Sequence, residues 1–207
     1  MKRKERFTNS QKGFNFAAAK SKWRNAAKHA LLQAVKDNNE RDVRSLLGNP
    51  NIYIDEKDDS GLTALMLAAG SGYDGILSLI LPYVQDEADT DIISAAREEG
   101  SGSNPGFEVN MQDCSGCTAL MHAAEEGHRD CVSVLLQYPG ISANFICDEG
   151  FTALMCTAHA AHEECLKLLL AVSGIDVNLQ DESGKTALMF ATDAGHAECV
   201  KLLLAHP

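Results

Sequence analysis

Gly116-Cys117-Thr118-Ala119-Leu120-Met121 decides the fold, because the chain writes this phrase four times. The other copies are Gly61-Leu62-Thr63-Ala64-Leu65-Met66, Gly150-Phe151-Thr152-Ala153-Leu154-Met155 and Gly184-Lys185-Thr186-Ala187-Leu188-Met189. The threonines at 118, 152 and 186 are 34 residues apart, and the first interval, from 63 to 118, is 55, one period plus 21. Self-similarity at a fixed period of this length marks a chain built of stacked supersecondary units.

The similarity continues outward from the phrase. Ala68-Ala69 and Ala123-Ala124 follow the methionines, with Thr157-Ala158 and Ala191-Thr192 as variants. Gly127-His128, Ala161-His162 and Gly195-His196 come next, and then Cys131-Val132, Cys165-Leu166 and Cys199-Val200, each opening a leucine-rich run. Each unit closes on a stretch such as Val109-Asn110-Met111-Gln112-Asp113 or Val177-Asn178-Leu179-Gln180-Asp181. Physically this is two short helices and a turn. Thr starts the first helix, its hydroxyl accepting from an orphan backbone N–H. Leu120, Ala123 and Ala124 share one face. Glycine near 127 or 195 stops the helix. The second helix buries Cys131, Val132, Leu135 and Leu136, and an extended Asx-Gly turn leads onward. A unit this small cannot bury its apolar face alone, so the units must stack.

An earlier, degenerate unit spans residues 29–60. Leu31 lies 34 residues before Leu65, and Leu46 and Leu47 lie 34 before Ile80 and Leu81. Lys36, Asp37, Glu40, Arg41 and Arg44 give it the polar character of an end cap. The organisation read from the sequence is a basic arm at 1–28, the capping repeat at 29–60, repeat helices at 61–81, an acidic insertion and linker at 82–108, and three further repeats at 109–207, the last incomplete. Within the insertion, Ile92, Ile93, Ala95 and Ala96 suit a short helix, and residues 100–106 read as a flexible linker. It is either a solvated loop or a partner-specific acidic protrusion. Leu202-Leu203-Leu204-Ala205-His206-Pro207 stops one residue short of the position matching Gly140 and Gly174, so the last repeat is expected to expose an apolar flank. Further repeats in a longer parent chain, or a neighbouring molecule, would cover it.

The formal net charge of -11 conceals an asymmetry. Residues 1–28 hold nine Lys or Arg and one acid, Glu5, for +8, whereas residues 29–207 carry -19. An acidic body repels nucleic acid and anionic membrane and attracts basic surfaces. In the arm, Phe16, Trp23, Ala26, Ala27 and Ala30 lie at helical spacing. Three readings of the arm stay open: a tail with Trp23 packed on the first repeat, a nuclear-import or nucleic-acid arm, and an arm docked on the acidic face of the same or another molecule. No apolar run approaches the ~18–20 residues of a membrane span, and the N-terminus lacks the apolar core of a secretory signal. Seven cysteines, three on the repeat period, read as reduced thiols in the cytoplasm or nucleus.

No catalytic residue, cofactor or metal is called for. Cys114-Ser115-Gly116-Cys117 has metal-ligand spacing but no second pair, and reads as a free dithiol. His128, His162 and His196 each precede a cysteine by three residues, which offers two ligands per site where structural zinc takes four. There is no phosphate-binding Gly-x-x-x-x-Gly-Lys loop, no kinase signature and no serine nucleophile elbow.

Over residues 29–207 the pattern resembles the ankyrin family, whose signature includes Thr-Pro-Leu-His-x-Ala on a period near 33. The Thr-Ala-Leu-Met and Gly-His-x-x-Cys-Val wording is also similar to the large ankyrin families of some parasitic protists. Ala64, Ala119, Ala153 and Ala187 stand where the family has Pro, and Met66, Met121, Met155 and Met189 where it has His. The resemblance implies an all-α fold, an α-solenoid of stacked helix-turn-helix repeats joined by short hairpin-like turns. It also implies a binding face made of turn tips and the exposed side of each first helix. Carried over by alignment, that face includes Leu62, Gln112, Cys117, Glu125, Glu126, Asp148, Glu149, Phe151, His159, Glu182, Lys185 and Asp193. With Lys57 and Asp59 carried over in the same way, acids outnumber bases seven to two. Leu62, Cys117 and Phe151 share one register at the tips, where exposed apolar anchors ringed by charge fit a protein-binding hot spot. The expectation is a non-catalytic scaffold or adaptor whose partner is a protein with a basic or amphipathic segment. The alternative is a nuclear or nucleic-acid-associated regulator working through the basic arm.

Overall fold

The structure is a computed structural model that describes residues 29–49, 52–84 and 108–206. The basic arm and most of the insertion, with the short helices read in each, lie outside the described residues. Five helix pairs account for the fold: α1 (Ala30–Lys36) and α2 (Glu40–Leu47), α3 (Ala64–Gly70) and α4 (Asp74–Ile80), α5 (Ala119–Glu125) and α6 (Arg129–Leu136), α7 (Ala153–His159) and α8 (Glu163–Leu170), α9 (Ala187–Asp193) and α10 (Ala197–Ala205). A short 3-10 turn, Leu81–Tyr83, follows α4, and no strand occurs among the described residues.

Each helix has only seven to nine residues, too few to persist alone in water. Stability comes from two rows. The first helices α1, α3, α5, α7 and α9 pack in sequence, and the second helices α2, α4, α6, α8 and α10 pack behind them. Alanine sets the closeness of the front row: Ala68, Ala69, Ala123, Ala124, Ala158 and Ala191 are fully buried. Leu65, Leu120 and Leu154 are each 1% exposed. Burying a leucine that far contributes roughly 2 kcal/mol over leaving it in water. In α6, Cys131, Val132 and Leu135 are buried as expected, while Leu136 is half-buried.

The four repeated threonines occupy equivalent places. Thr63, Thr118, Thr152 and Thr186 are extended at the N-caps of α3, α5, α7 and α9, each hydroxyl accepting from the amide of the methionine three residues on. In α3 the Met66 sulfur also accepts from the Thr63 amide at 3.4 Å, a weak closure of the box that Glu or Gln usually completes. The methionines otherwise serve as apolar filling: Met66, Met121 and Met155 are 1–2% exposed. Met189, in the same register, is 48% exposed, and Leu204 is 66% exposed, so the expected apolar flank of the last repeat is present.

Hydrogen bonds repeat with the same step. The His128, His162 and His196 rings reach the carbonyls of Gly70, Glu125 and His159 in the preceding unit at 3.1, 2.8 and 2.9 Å. A carbonyl only accepts, so each Nε2 carries the proton. Asn110 and Asn144 brace the other end, donating to the carbonyls of Gly140 and Gly174 at 2.8 Å. Gly127 and Gly195 end their helices in the left-handed region, and in the middle unit Ala161 takes the same backbone at φ 61°.

Candidate functional site

The tips are built from an Asx turn. Asp58, Asp113 and Asp181 each accept from the amides two and four residues on, which closes the hairpin and pins the side chain beneath it. Consecutive tips are tied together: the amides of Cys114, Asp148 and Glu182 donate to the carbonyls of Ser60, Ser115 and Glu149. The tips therefore form a continuous edge along the front row of helices.

The turn aspartates are held as anions. For Asp113, burial alone would raise the pKa, but the Cys117 and Ser115 amides and the His122 ring together hold it below the usual carboxylate range. His122 Nε2 lies 2.9 Å from Asp113 Oδ2. In the unit after it, Cys147 and Cys156 replace this pair; burial, then Glu125, pushes the Cys156 thiol up to about 12, and burial, then the Cys147 thiol, pushes Cys117 up to about 12. All seven cysteines are free, and no group of three or more metal-ligating side chains occurs among the described residues. Cys117 and Cys156, held this far from ionisation, are poor nucleophiles and poor metal ligands.

Eleven of the twelve expected binding positions separate into three groups, and the twelfth, Lys185, is half-buried. Glu125, Glu126, Asp148, Glu149, His159, Glu182 and Asp193 are exposed along the tip edge and the front helices. Of these, Asp193 is paired with Lys185 at 2.8 Å, whereas Glu125, Glu126, Asp148, Glu149 and Glu182 form no ion pair among the described residues. Gln112 is half-buried and used internally, its amide donating to the carbonyls of Gly116 and Ile146. Leu62, Cys117 and Phe151 correct the expectation of exposed anchors. All three are half-buried and packed against the core, because the hairpin turns back at this residue to pair its carbonyl with the aspartate or cysteine four positions earlier.

Phe151 stacks on Phe190 of the next unit, ring centroids 5.0 Å apart. Lys185 Nζ lies over the Phe190 ring at 5.5 Å from its centroid, and His159 makes a T-shaped contact with it at 5.8 Å. Phe190 is absent from the expected binding positions, as is the rest of the series Leu67, His122, Cys156 and Phe190, which directly follows the four methionines and lines the same face. A signal existed: this position changes residue type from unit to unit while its neighbours hold theirs.

The tip edge, the small-residue front row and the threonine caps define a helical repeat protein. A family model for ankyrin repeats, three copies to the model, matches residues 31–145, 95–181 and 139–207. The chain belongs to the ankyrin-repeat family. Ankyrin repeats bind other proteins, and the family is generally one of non-catalytic interaction modules. Human M-phase phosphoprotein 8 is 31% identical over 113 residues, covering 54% of this chain and 10% of that protein. The chain thus matches about a tenth of that relative's length. The similarity to protist ankyrin families gains no support from these matches. No helix among the described residues is long and apolar enough to cross a membrane.

Proposed function

We propose that this chain is a non-catalytic scaffold or adaptor module whose tip face binds a protein segment that is basic or amphipathic. The observation that carries this reading is the row of exposed, unpaired carboxylates, Glu125, Glu126, Asp148, Glu149 and Glu182, running beside the half-buried ladder of Leu62, Cys117 and Phe151. Acids without a cation nearby draw in a positively charged segment and fix its register. The apolar ladder then accepts the uncharged side of that segment. Residues 29–60 serve as the polar end cap, with Lys36, Asp37, Glu40, Arg41 and Arg44 exposed. Free thiols throughout fit the cytoplasm or nucleus.

A synthetic amphipathic Lys/Leu peptide tests the reading by fluorescence anisotropy. Affinity is expected to fall about tenfold or more between low and high salt, and by a similar factor in a Glu125→Gln, Asp148→Gln, Glu182→Gln chain. Equal binding under all these conditions contradicts recognition by charge. Phe151→Ala is a poor probe, because it also removes the contact with Phe190.

A further inference from the structure

We infer that the basic segment best suited to the tip face is carried by the chain itself: residues 1–28 dock in cis along the acidic edge and compete with an external partner. This rests on the reading of that face given above. Four observations converge on it. The first is charge, +8 in residues 1–28 against -19 in the remainder, opposite signs joined by one peptide bond. The second is where the arm leaves the fold. His29 occupies the N-cap of α1, the place that Thr63 takes in α3, Thr118 in α5 and Thr152 in α7. Those threonines directly follow the tips, so His29, the residue next to the arm, stands at the register position beside the edge that carries the unpaired acids, with a helical backbone where the threonines are extended.

The third is reach. From the first unit to the last the front helices step about 8–10 Å each, some 40 Å in all. Twenty-eight residues span up to roughly 90 Å extended, so the arm covers the edge without full extension. The fourth is composition: Phe14, Phe16 and Trp23 lie among Lys12, Lys20, Lys22 and Arg24. Basic residues interleaved with aromatics match carboxylates set beside half-buried Leu62, Cys117 and Phe151. Tethering supplies an effective concentration near millimolar, so even weak docking holds the face partly closed.

The test uses the full chain. A zero-length carbodiimide is applied to a mixture of isotopically light and heavy protein, at low and high salt, and the products are mapped by mass spectrometry. Cis docking predicts links from Lys2, Lys4, Lys12, Lys20 or Lys22 to Glu125, Glu126, Asp148, Glu149 or Glu182 within one copy, lost at high salt. In parallel, a synthetic peptide of residues 1–28 is titrated into the full chain and into a chain whose nine basic arm residues are glutamine. It should bind the second about tenfold or more tightly, because the competing arm is gone.

Links running mainly into residues 85–107, links between light and heavy copies, or equal peptide binding by both chains overturns cis docking. So does a full chain that binds a random DNA duplex as tightly as the free 1–28 peptide does, since the arm is then unengaged. In each of these cases, salt-sensitive binding of the Lys/Leu peptide to the neutralised-arm chain leaves the acidic-face reading standing. If neither peptide binds that chain, both readings fall together.

Discussion

The imidazole of His162 donates to the carbonyl of Glu125, 37 residues earlier, across 2.8 Å. That carbonyl lies at the end of α5, where a helix leaves its last acceptors without partners. One side chain thus caps one unit while belonging to the next, and His128 and His196 do the same.

His162→Ala removes this tie and is expected to cost about 1 kcal/mol. Because each unit leans only on its neighbours, the loss should also loosen the coupling between the α5/α6 and α7/α8 pairs. Urea unfolding followed by circular dichroism reads the first effect, and amide exchange in α5 reads the second. Unchanged exchange in α5 would show that the bond carries no coupling.

Ala161 holds a left-handed backbone at φ 61°, where its counterparts Gly127 and Gly195 sit without strain. An L-residue there is disfavoured by about 1–2 kcal/mol, partly offset by the greater freedom of glycine when unfolded. Ala161→Gly should therefore stabilise by about 0.5–1 kcal/mol. Gly127→Ala should destabilise by about 2 kcal/mol, since the added methyl also meets the His162 ring. Melting temperatures that shift in the same direction for both variants would refute the strain argument.

The methionines of the repeated phrase are one residue type in two environments. Met121→Lys places an ammonium in a site 2% exposed, and a loss of at least about 3 kcal/mol is expected. Met189→Lys alters a side chain 48% exposed and should stay within about 0.5 kcal/mol. Thermal unfolding of the pair provides the check.

Asp113 supplies a pH dependence with a definite sign. Its folded pKa lies below the ordinary value because the Cys117 and Ser115 amides and His122 outweigh burial. A depressed carboxylate stabilises the fold above the unfolded value near 3.9. That contribution disappears as pH falls through the lower, folded value. Asp113→Asn should cost about 1–2 kcal/mol at neutral pH, and the difference from wild type should shrink toward zero on acidification. A gap that stays constant down to pH 2 assigns the effect to shape rather than charge.

Much of this architecture was legible in residue order alone. The 34-residue step, the threonine caps, the small alanines at the helix contacts and the stop after each first helix are local properties, set by hydroxyl chemistry, side-chain volume and helical spacing. The exposed acids of the proposed face were legible too, because Glu125, Asp148 or Glu182 on a turn or a helix end has nowhere to go but water. Tertiary packing decided the fate of the apolar and amide groups beside them. Phe151 turns inward onto Phe190, Gln112 is taken up by two carbonyls, and Met189 stands open where Met121 is closed. Identical words in the repeat end in different environments, since burial belongs to whatever lies alongside a residue and not to the residue.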